Sequence, residues 1–189
     1  KSSFCFLFKW DKHIDSVCTR LRTFLYYCYK LSFYLNKKTL RIIYMGLVRS
    51  TVIYGLQAWG NTTQTYLTRV DQLQTRILKT ICKTDRTRQL DNLQWYREMD
   101  VLPCTKLFTY VTILQHYYSD KYKTTVEHEQ TTRQVTDKKL QVPRIQNDYG
   151  RQTLRHTVPR LFNKLPADMR QLTKYKTLKA QLQTWLHRQ

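Results

Sequence analysis

The sequence predicts a mainly α-helical fold, in which a three-helix bundle is followed by a smaller, partly irregular helical C-terminal segment. Two observations carry this prediction. Apolar residues recur every three or four positions through most of the first hundred residues, which is the period of one face of an α-helix. Short polar or glycine-containing stretches separate three such runs, and amphipathic helices joined by short turns form a bundle.

The first helix is predicted from about Lys12 to Leu35. Asn36 follows it, and an Asn side chain is well suited to cap the next helix. The apolar positions that define this first helix are Ile14, Val17, Leu21, Leu25, Cys28 and Leu31.

The second and third helices complete the predicted bundle. The second carries Leu40, Ile43, Leu47 and Tyr54 at helical spacing, and Gly55 and Gly60 mark its end. Capping groups for the third helix come from residues 61–63. Its apolar positions are Leu67, Val70, Leu73, Ile77 and Ile81.

The rest of the chain is less regular. We expect a short helix at about Gln89 to Arg97, a loop at residues 101–103, and a helix containing Leu107 and Tyr118. Few apolar residues lie between Lys121 and Lys139, which predicts a flexible linker. Extended segments and turns are expected at residues 142–144 and 149–151, and a final helix from about Ala167. The predicted organisation is a bundle (1–100), a connecting helix (101–122), a linker (123–141) and a basic C-terminal segment (142–189).

The chain is strongly basic. It has 33 Lys and Arg against 13 Asp and Glu, a formal net charge of +20. A field of that size repels itself unless a polyanion neutralises it, and nucleic acid is the expected polyanion. A membrane surface is less favoured, because membrane-binding helices concentrate their cations in one short segment. Here the charge extends from Lys1 to Arg188.

The cysteines and the apolar runs bear on the cellular location. Five cysteines without framework spacing indicate reduced thiols, and therefore a nuclear or cytoplasmic protein. The most apolar run, Ile42 to Val48, is far shorter than the ~20 residues that span a bilayer. The chain begins at Lys1 instead of Met, as expected for a fragment or a truncated gene model.

Catalytic motifs are absent from the sequence. Two-metal polymerases hold Mg²⁺ with neighbouring carboxylates, but this chain has neither an Asp-Asp pair nor a Phe/Tyr-x-Asp-Asp motif. Asp11 and Asp15 favour a charged first helical turn over a metal site. Cys82, Cys104 and His116 are too widely spaced for a compact zinc motif. We expect no catalytic residue, metal ligand or cofactor within this chain.

Basic residues are the candidates for a binding function. Arg69, Arg76 and Lys83 are seven positions apart on the third predicted helix, which places them in one stripe beside its apolar face. Asp71 is the only acidic residue of that helix. The stripe either follows a phosphate backbone or is a solvated surface. The predicted nucleic-acid-binding residues are Lys37, Lys38, Arg41, Arg69, Arg76, Lys79, Lys83, Arg86 and Arg88.

The basic C-terminal segment also contains aromatic residues. Basic and aromatic side chains together can stack on unpaired bases. For Phe162, Leu165 and Trp185 we favour the other interpretation, in which these residues build a small core.

Several short motifs follow one another along the chain. The first is Trp10-x-x-His13-Ile14. The second predicted helix contains Leu40, Tyr44, Leu47, Ser50, Tyr54, Gly55, Trp59 and Gly60. Two further motifs are Leu73-Gln74-x-Arg76 and the set Pro159, Phe162, Asn163, Leu165 and Pro166. In this order they resemble the segment after the palm in reverse transcriptases of non-LTR (LINE-type, jockey-like) retrotransposons.

This resemblance covers nearly the whole chain. It implies the thumb and post-thumb part of an RNA-directed DNA polymerase, with the catalytic palm and its Mg²⁺ upstream of Lys1. The implied partners are RNA, DNA and the palm and fingers of the same polyprotein, with no membrane. The residues 4–8 stand where the family has a Leu-Gly-rich strand, and Phe162 stands where it has Trp. These departures indicate divergence or a decaying copy.

Two other functions stay open at this point. The apolar helix faces are also compatible with a protein–protein interaction module, whose charge only maintains solubility. The chain is also compatible with a non-functional pseudogene remnant.

Overall fold

The computed structural model describes residues 10–82, 91–122 and 139–189. These residues form helices and contain no β-strand, which confirms the predicted mainly α-helical fold. The first helices are α1 (Asp11–Leu31), α2 (Lys37–Ile43), a π-helical turn (Tyr44–Arg49), α3 (Ser50–Ile53), α4 (Leu56–Trp59), α5 (Gln64–Ile81) and α6 (Asn92–Glu98). The later ones are α7 (Cys104–His116), a 3₁₀ turn (Asp120–Tyr122), α8 (Asp148–Gln152), α9 (Leu154–Asn163), α10 (Ala167–Arg170) and α11 (Tyr175–Arg188).

The chain divides into two compact units, Lys1–Leu107 and Phe108–Gln189. The division falls within α7. The predicted flexible linker, residues 123–141, lies mostly outside the described residues, which resume at Lys139.

The first unit is organised by the packing of α1 against α5. Both helices follow the apolar period predicted from the sequence. α5 buries all of its predicted apolar positions, whereas on α1 Leu25 and Leu31 are only half-buried. On α1 the buried residues are Ile14, Val17, Cys18, Leu21 and Cys28. On α5 the buried apolar residues are Leu67, Val70, Leu73, Ile77, Leu78 and Ile81. Each fully buried aliphatic side chain contributes on the order of 1.5–3 kcal/mol relative to exposure.

The predicted cap at Asn36 is present, since its side chain accepts a hydrogen bond from the backbone N–H of Thr39 at 2.9 Å. The second predicted helix extends from Lys37 to Ile53, and its residues Tyr44–Arg49 form a π-helical turn. Tyr44 is buried there, and the side-chain amide of Gln74 on α5 donates to its hydroxyl at 3.0 Å. This bond lies between two elements of the core, so it fixes how α5 meets the second helix.

The end of this helix depends on one glycine. Gly55 has a positive φ of 63°, a conformation that costs other residues about 1–2 kcal/mol. The reversal lets α4 fold back, so that Trp59 is fully buried and its indole N–H donates to the Tyr54 carbonyl at 3.0 Å. The predicted breaks at Gly55 and near Gly60 are confirmed.

The second unit corrects the prediction for the C-terminal segment. Residues 149–151 were expected in extended segments and turns, but they lie within α8, whose start is capped by the Asn147 side chain on the Gly150 N–H at 2.8 Å. α9 was not predicted, and it contains Pro159. The single final helix expected from Ala167 is instead two helices, because residues 171–174 leave the helical conformation.

The core of the second unit contains residues that the sequence left ambiguous. Phe162 and Leu165 are buried, and Trp185 is half-buried, in agreement with a small core. Asn163 anchors an irregular segment at Leu140. Its side chain donates to the Leu140 carbonyl and accepts from the Leu140 N–H, both at 2.8 Å. The Tyr117 hydroxyl donates to the Met169 carbonyl at 2.6 Å.

The left-handed backbone at Gly55 can be tested with a pair of substitutions. Gly55→Ala should lower the free energy of unfolding by about 1–2 kcal/mol, because an alanine is strained at that φ. Gly46→Ala is the matched control, since Gly46 lies in the helical segment and no atom is within 4 Å of an added Cβ. There alanine should raise stability slightly, by about 0.5 kcal/mol. Urea denaturation measures both, and equal shifts in the two variants would contradict the assignment.

Candidate nucleic-acid interface

A groove of about 460 Å³ lies on the first unit, between α5, α6 and the start of α7. Its walls come from one face of α5 and from residues at the ends of two helices that meet it. The polar side chains that define it are Asp71, Thr75, Arg76, Lys79, Tyr96 and Lys106.

Asp71 holds the groove together. Its carboxylate accepts a hydrogen bond from the backbone N–H of Cys104 at 2.6 Å, so it satisfies one of the unpaired donors at the start of α7. The Tyr96 hydroxyl donates to the Asp71 backbone carbonyl at 3.0 Å and thereby joins α6 to α5. Asp71, on α5, therefore forms hydrogen bonds with both α6 and α7.

The same position makes Asp71 unusually weakly acidic. Burial raises its pKa to about 6, against the opposing effect of the hydrogen bond from Cys104. Near neutral pH most of the Asp71 carboxyls are ionised in the folded protein, at a cost in stability. This charge is directed towards the backbone of α7, and it is the only carboxylate among the groove residues.

The cations of the groove have no such partner. Arg76 and Lys79 are exposed and form no ion pair or side-chain hydrogen bond with any residue in the described ranges. Lys106 is half-buried, and its pKa is lowered by desolvation and by the positive charge of Arg97. A phosphate beside Lys106 would favour its charged form, because an opposite charge stabilises an ammonium group.

The structure separates Arg69 from these groove cations. Its guanidinium forms an ion pair with Asp15 of α1 at 2.6 Å, so this side chain joins α1 to α5. Arg76, seven positions further along α5, faces the groove instead. Within the described part of α5, the predicted stripe therefore contains Arg69, which joins two helices, and Arg76, which has no ion-pair partner there.

The predicted binding residues at the start of the second helix, Lys37, Lys38 and Arg41, also differ in their contacts. Lys37 forms an ion pair with Glu98. Arg41 donates to the Met99 carbonyl at 2.8 Å and lies 3.4 Å from the Asp100 carboxylate. These contacts hold the start of α2 to the end of α6. Lys38 is exposed.

Three predicted binding residues lie outside the described residues. They are Lys83, Arg86 and Arg88. Lys106, in contrast, was not predicted. Nothing in its local sequence distinguishes it, because it lies close to α5 through tertiary contacts such as the hydrogen bond between Asp71 and the Cys104 N–H.

Within the ranges 10–82, 91–122 and 139–189, no group of three or more His, Cys, Asp or Glu side chains is placed to hold a metal ion. Across those same ranges, no helix is both long and apolar enough to cross a membrane. Cys18, Cys28, Cys82 and Cys104 are free thiols, and burial raises the pKa of each.

Comparisons of the sequence and structure with family models, with curated proteins and with solved structures found no match.

The raised pKa of the half-buried Asp71 carboxyl predicts a specific pH dependence. Because its pKa is higher in the folded state than the ordinary 3.8, the folded protein binds more protons and stability falls as pH rises between about 4 and 6. Asp71→Asn keeps an acceptor for the Cys104 N–H but removes the ionisation. Relative to the wild type, this variant should therefore gain about 2–3 kcal/mol of stability between pH 4 and pH 7.5.

Urea denaturation at the two pH values measures this gain. Asp91→Asn is the control, because Asp91 is an exposed acid that precedes α6. Its variant should show a pH dependence close to that of the wild type. A stability difference between Asp71→Asn and wild type that stays constant with pH would show that Asp71 ionises normally.

Proposed function

We propose that this chain binds nucleic acid as the thumb and post-thumb part of a non-LTR retrotransposon reverse transcriptase. In this proposal the RNA-directed DNA polymerase active site, with its Mg²⁺, belongs to a palm outside this chain. The chain itself holds the template and primer. Its partners are RNA, DNA and the palm and fingers of the same polyprotein, and its location is nuclear or cytoplasmic.

The observation that carries the proposal is the set of uncompensated cations in the groove. Most of the acidic side chains in the described part of the first unit form ion pairs or hydrogen bonds with another element, as Asp15, Asp71 and Glu98 do. Arg76, Lys79 and Lys106 remain together along one groove. A cationic concavity of this kind concentrates the field of the whole chain and attracts a polyanion.

The chemistry of these residues suits phosphate better than bases. Lys79 and Lys106 are point charges that can each approach one phosphate, and Arg76 can bind two oxygens at once. Contacts of this type release counterions and carry no sequence information. A polymerase needs this kind of grip, because its template and primer change sequence at every step.

The competing proposal is a protein–protein interaction module. A specific observation favours it: Ile42, Leu47 and Tyr54 are apolar or aromatic side chains that are about half or more exposed on the second helix. Salt distinguishes the two functions. Phosphate contacts weaken steeply as salt rises, whereas an apolar interface is retained.

A triple variant tests the groove directly. Arg76→Gln, Lys79→Gln and Lys106→Gln together should weaken binding to an RNA–DNA hybrid duplex. The slope of log K against log salt should fall in magnitude by about 2–3, because each phosphate contact contributes about 0.9. Fluorescence anisotropy with a labelled hybrid, measured between low and physiological salt, gives both quantities.

A second triple variant controls for net charge. Lys174→Gln, Lys176→Gln and Lys179→Gln remove the same charge from exposed positions at the start of α11. This control should bind nearly as the wild type does. Equal losses in the two variants would assign binding to diffuse charge and would overturn the groove as the site.

A further inference from the structure

The solvent side of α1 and the turn after it carry a group of exposed aromatic side chains, here called the aromatic face. More than half of each residue's surface is accessible, from 54% for Tyr27 and Tyr29 to 86% for Tyr34. Its members are Tyr26, Tyr27, Tyr29, Phe33 and Tyr34. Together they expose on the order of several hundred Å² of ring surface, as much as the largest patch of an ordinary monomer.

This face is separate from the packing of the unit. The helix buries its opposite side, where Ile14, Val17 and Leu21 lie, and its main neighbour is α5. The rings of the aromatic face therefore do not complete the described core. A contiguous exposed apolar patch of this size often marks an interaction site.

The rings contact one another by their edges. Tyr29 and Phe33 have centroids 5.2 Å apart at an interplanar angle of 88°, and Tyr26 and Tyr27 are 5.8 Å apart at 61°. In an edge-to-face pair, at least one ring keeps a flat face open. The arrangement thus presents flat π surfaces of the kind on which another planar ring can stack.

The charge around these rings identifies the kind of partner. No Asp or Glu occurs in residues 16–70, a stretch that contains eight Lys and Arg. Three of these cations, Lys37, Arg41 and Arg69, form ion pairs with acids elsewhere in the first unit. Arg22 and Lys38 are exposed close to the rings in sequence, and the Lys30 ammonium lies 5.8 Å from the Tyr26 ring centroid. Planar apolar rings beside unbalanced cations match a polyanion that carries unpaired planar groups, which is single-stranded nucleic acid.

We propose that the aromatic face is a binding site for single-stranded nucleic acid. Unpaired bases stack on the tyrosine and phenylalanine rings, and Arg22, Lys30 and Lys38 neutralise the adjoining phosphates. The binding is tolerant of sequence, because every base has a π face. The site is separate from the cationic groove and does not depend on the function proposed for it.

The test measures the affinity of the full 189-residue chain for two nucleic-acid strands that carry the same charge. One is a labelled oligo-dT of about 20 nucleotides, and the other is an abasic strand of the same length. Stacking predicts that the oligo-dT binds at least about tenfold more tightly, since each stacked base contributes measurably. Equal affinity for the two strands would overturn the proposal and would leave only phosphate attraction.

Variants of the aromatic face then locate the site. Tyr26→Ser, Tyr29→Ser and Tyr34→Ser together should abolish the preference for oligo-dT, while the corresponding three Tyr→Phe changes should retain it. Tyr54→Ser, which alters an equally exposed tyrosine of α3's end, is the control and should have no effect. Because all these side chains are exposed, circular dichroism should show unchanged helix content.

Two outcomes would contradict this location. The serine triple variant could keep the preference for oligo-dT, which would place the stacking elsewhere in the chain. Alternatively, the wild type could form a concentration-dependent dimer that the serine variant does not form, with no loss of strand preference. That result would make the aromatic face a contact between two copies of the chain. The triple variant of the groove, Arg76→Gln, Lys79→Gln and Lys106→Gln, should leave the preference for oligo-dT over the abasic strand unchanged.

Discussion

The shortage of carboxylates constrains the arrangement of the first unit. Apolar side chains of α1 and α5 pack together in its core, and the few acidic side chains fix how the helices meet. Asp15 joins α1 to α5, Glu98 joins α6 to α2, and Asp71 joins α5 to α7. An exposed ion pair contributes little, at most about 1 kcal/mol. Asp71 differs because it is half-buried and satisfies a helix terminus, so its loss would leave the Cys104 N–H without an acceptor.

This use of the carboxylates also determines where positive charge is left unbalanced. A cation that faces an acid across a helix interface contributes little field at the surface, whereas one without a partner contributes fully. Arg69 belongs to the first kind and Arg76 to the second, although both lie on α5 and their spacing is that of a single stripe. Net charge alone predicts that a polyanion will be attracted. The pairing of individual acids decides which surface it approaches.

The sequence predicted the helices better than it predicted the site, for a physical reason. Helical period, the Asn36 cap and the break at Gly55 are local, and each was found in the structure. The π-helical turn and α9 were missed, because a shift in hydrogen-bond register and the acceptance of Pro159 within a helix depend on tertiary packing. The groove has the same origin. Spacing placed Arg76 and Lys79 on one helix, but tertiary contacts such as the hydrogen bond between Asp71 and the Cys104 N–H bring Lys106 beside them.

The motif residues fall into two groups according to what they contact. Gly55 and Trp59 form the reversal after α3, Gln74 bonds Tyr44 in the core, and Asn163 holds Leu140. These positions specify a shape, and any protein with that shape would need similar residues there whatever it binds. Arg76 is different: it belongs to the Leu73-Gln74-x-Arg76 motif, yet it is exposed and has no partner within the described residues. The fold gives no reason for an arginine at that position. A ligand in the groove would give one, and this is why the proposed phosphate contact rests on Arg76 more than on any other cation.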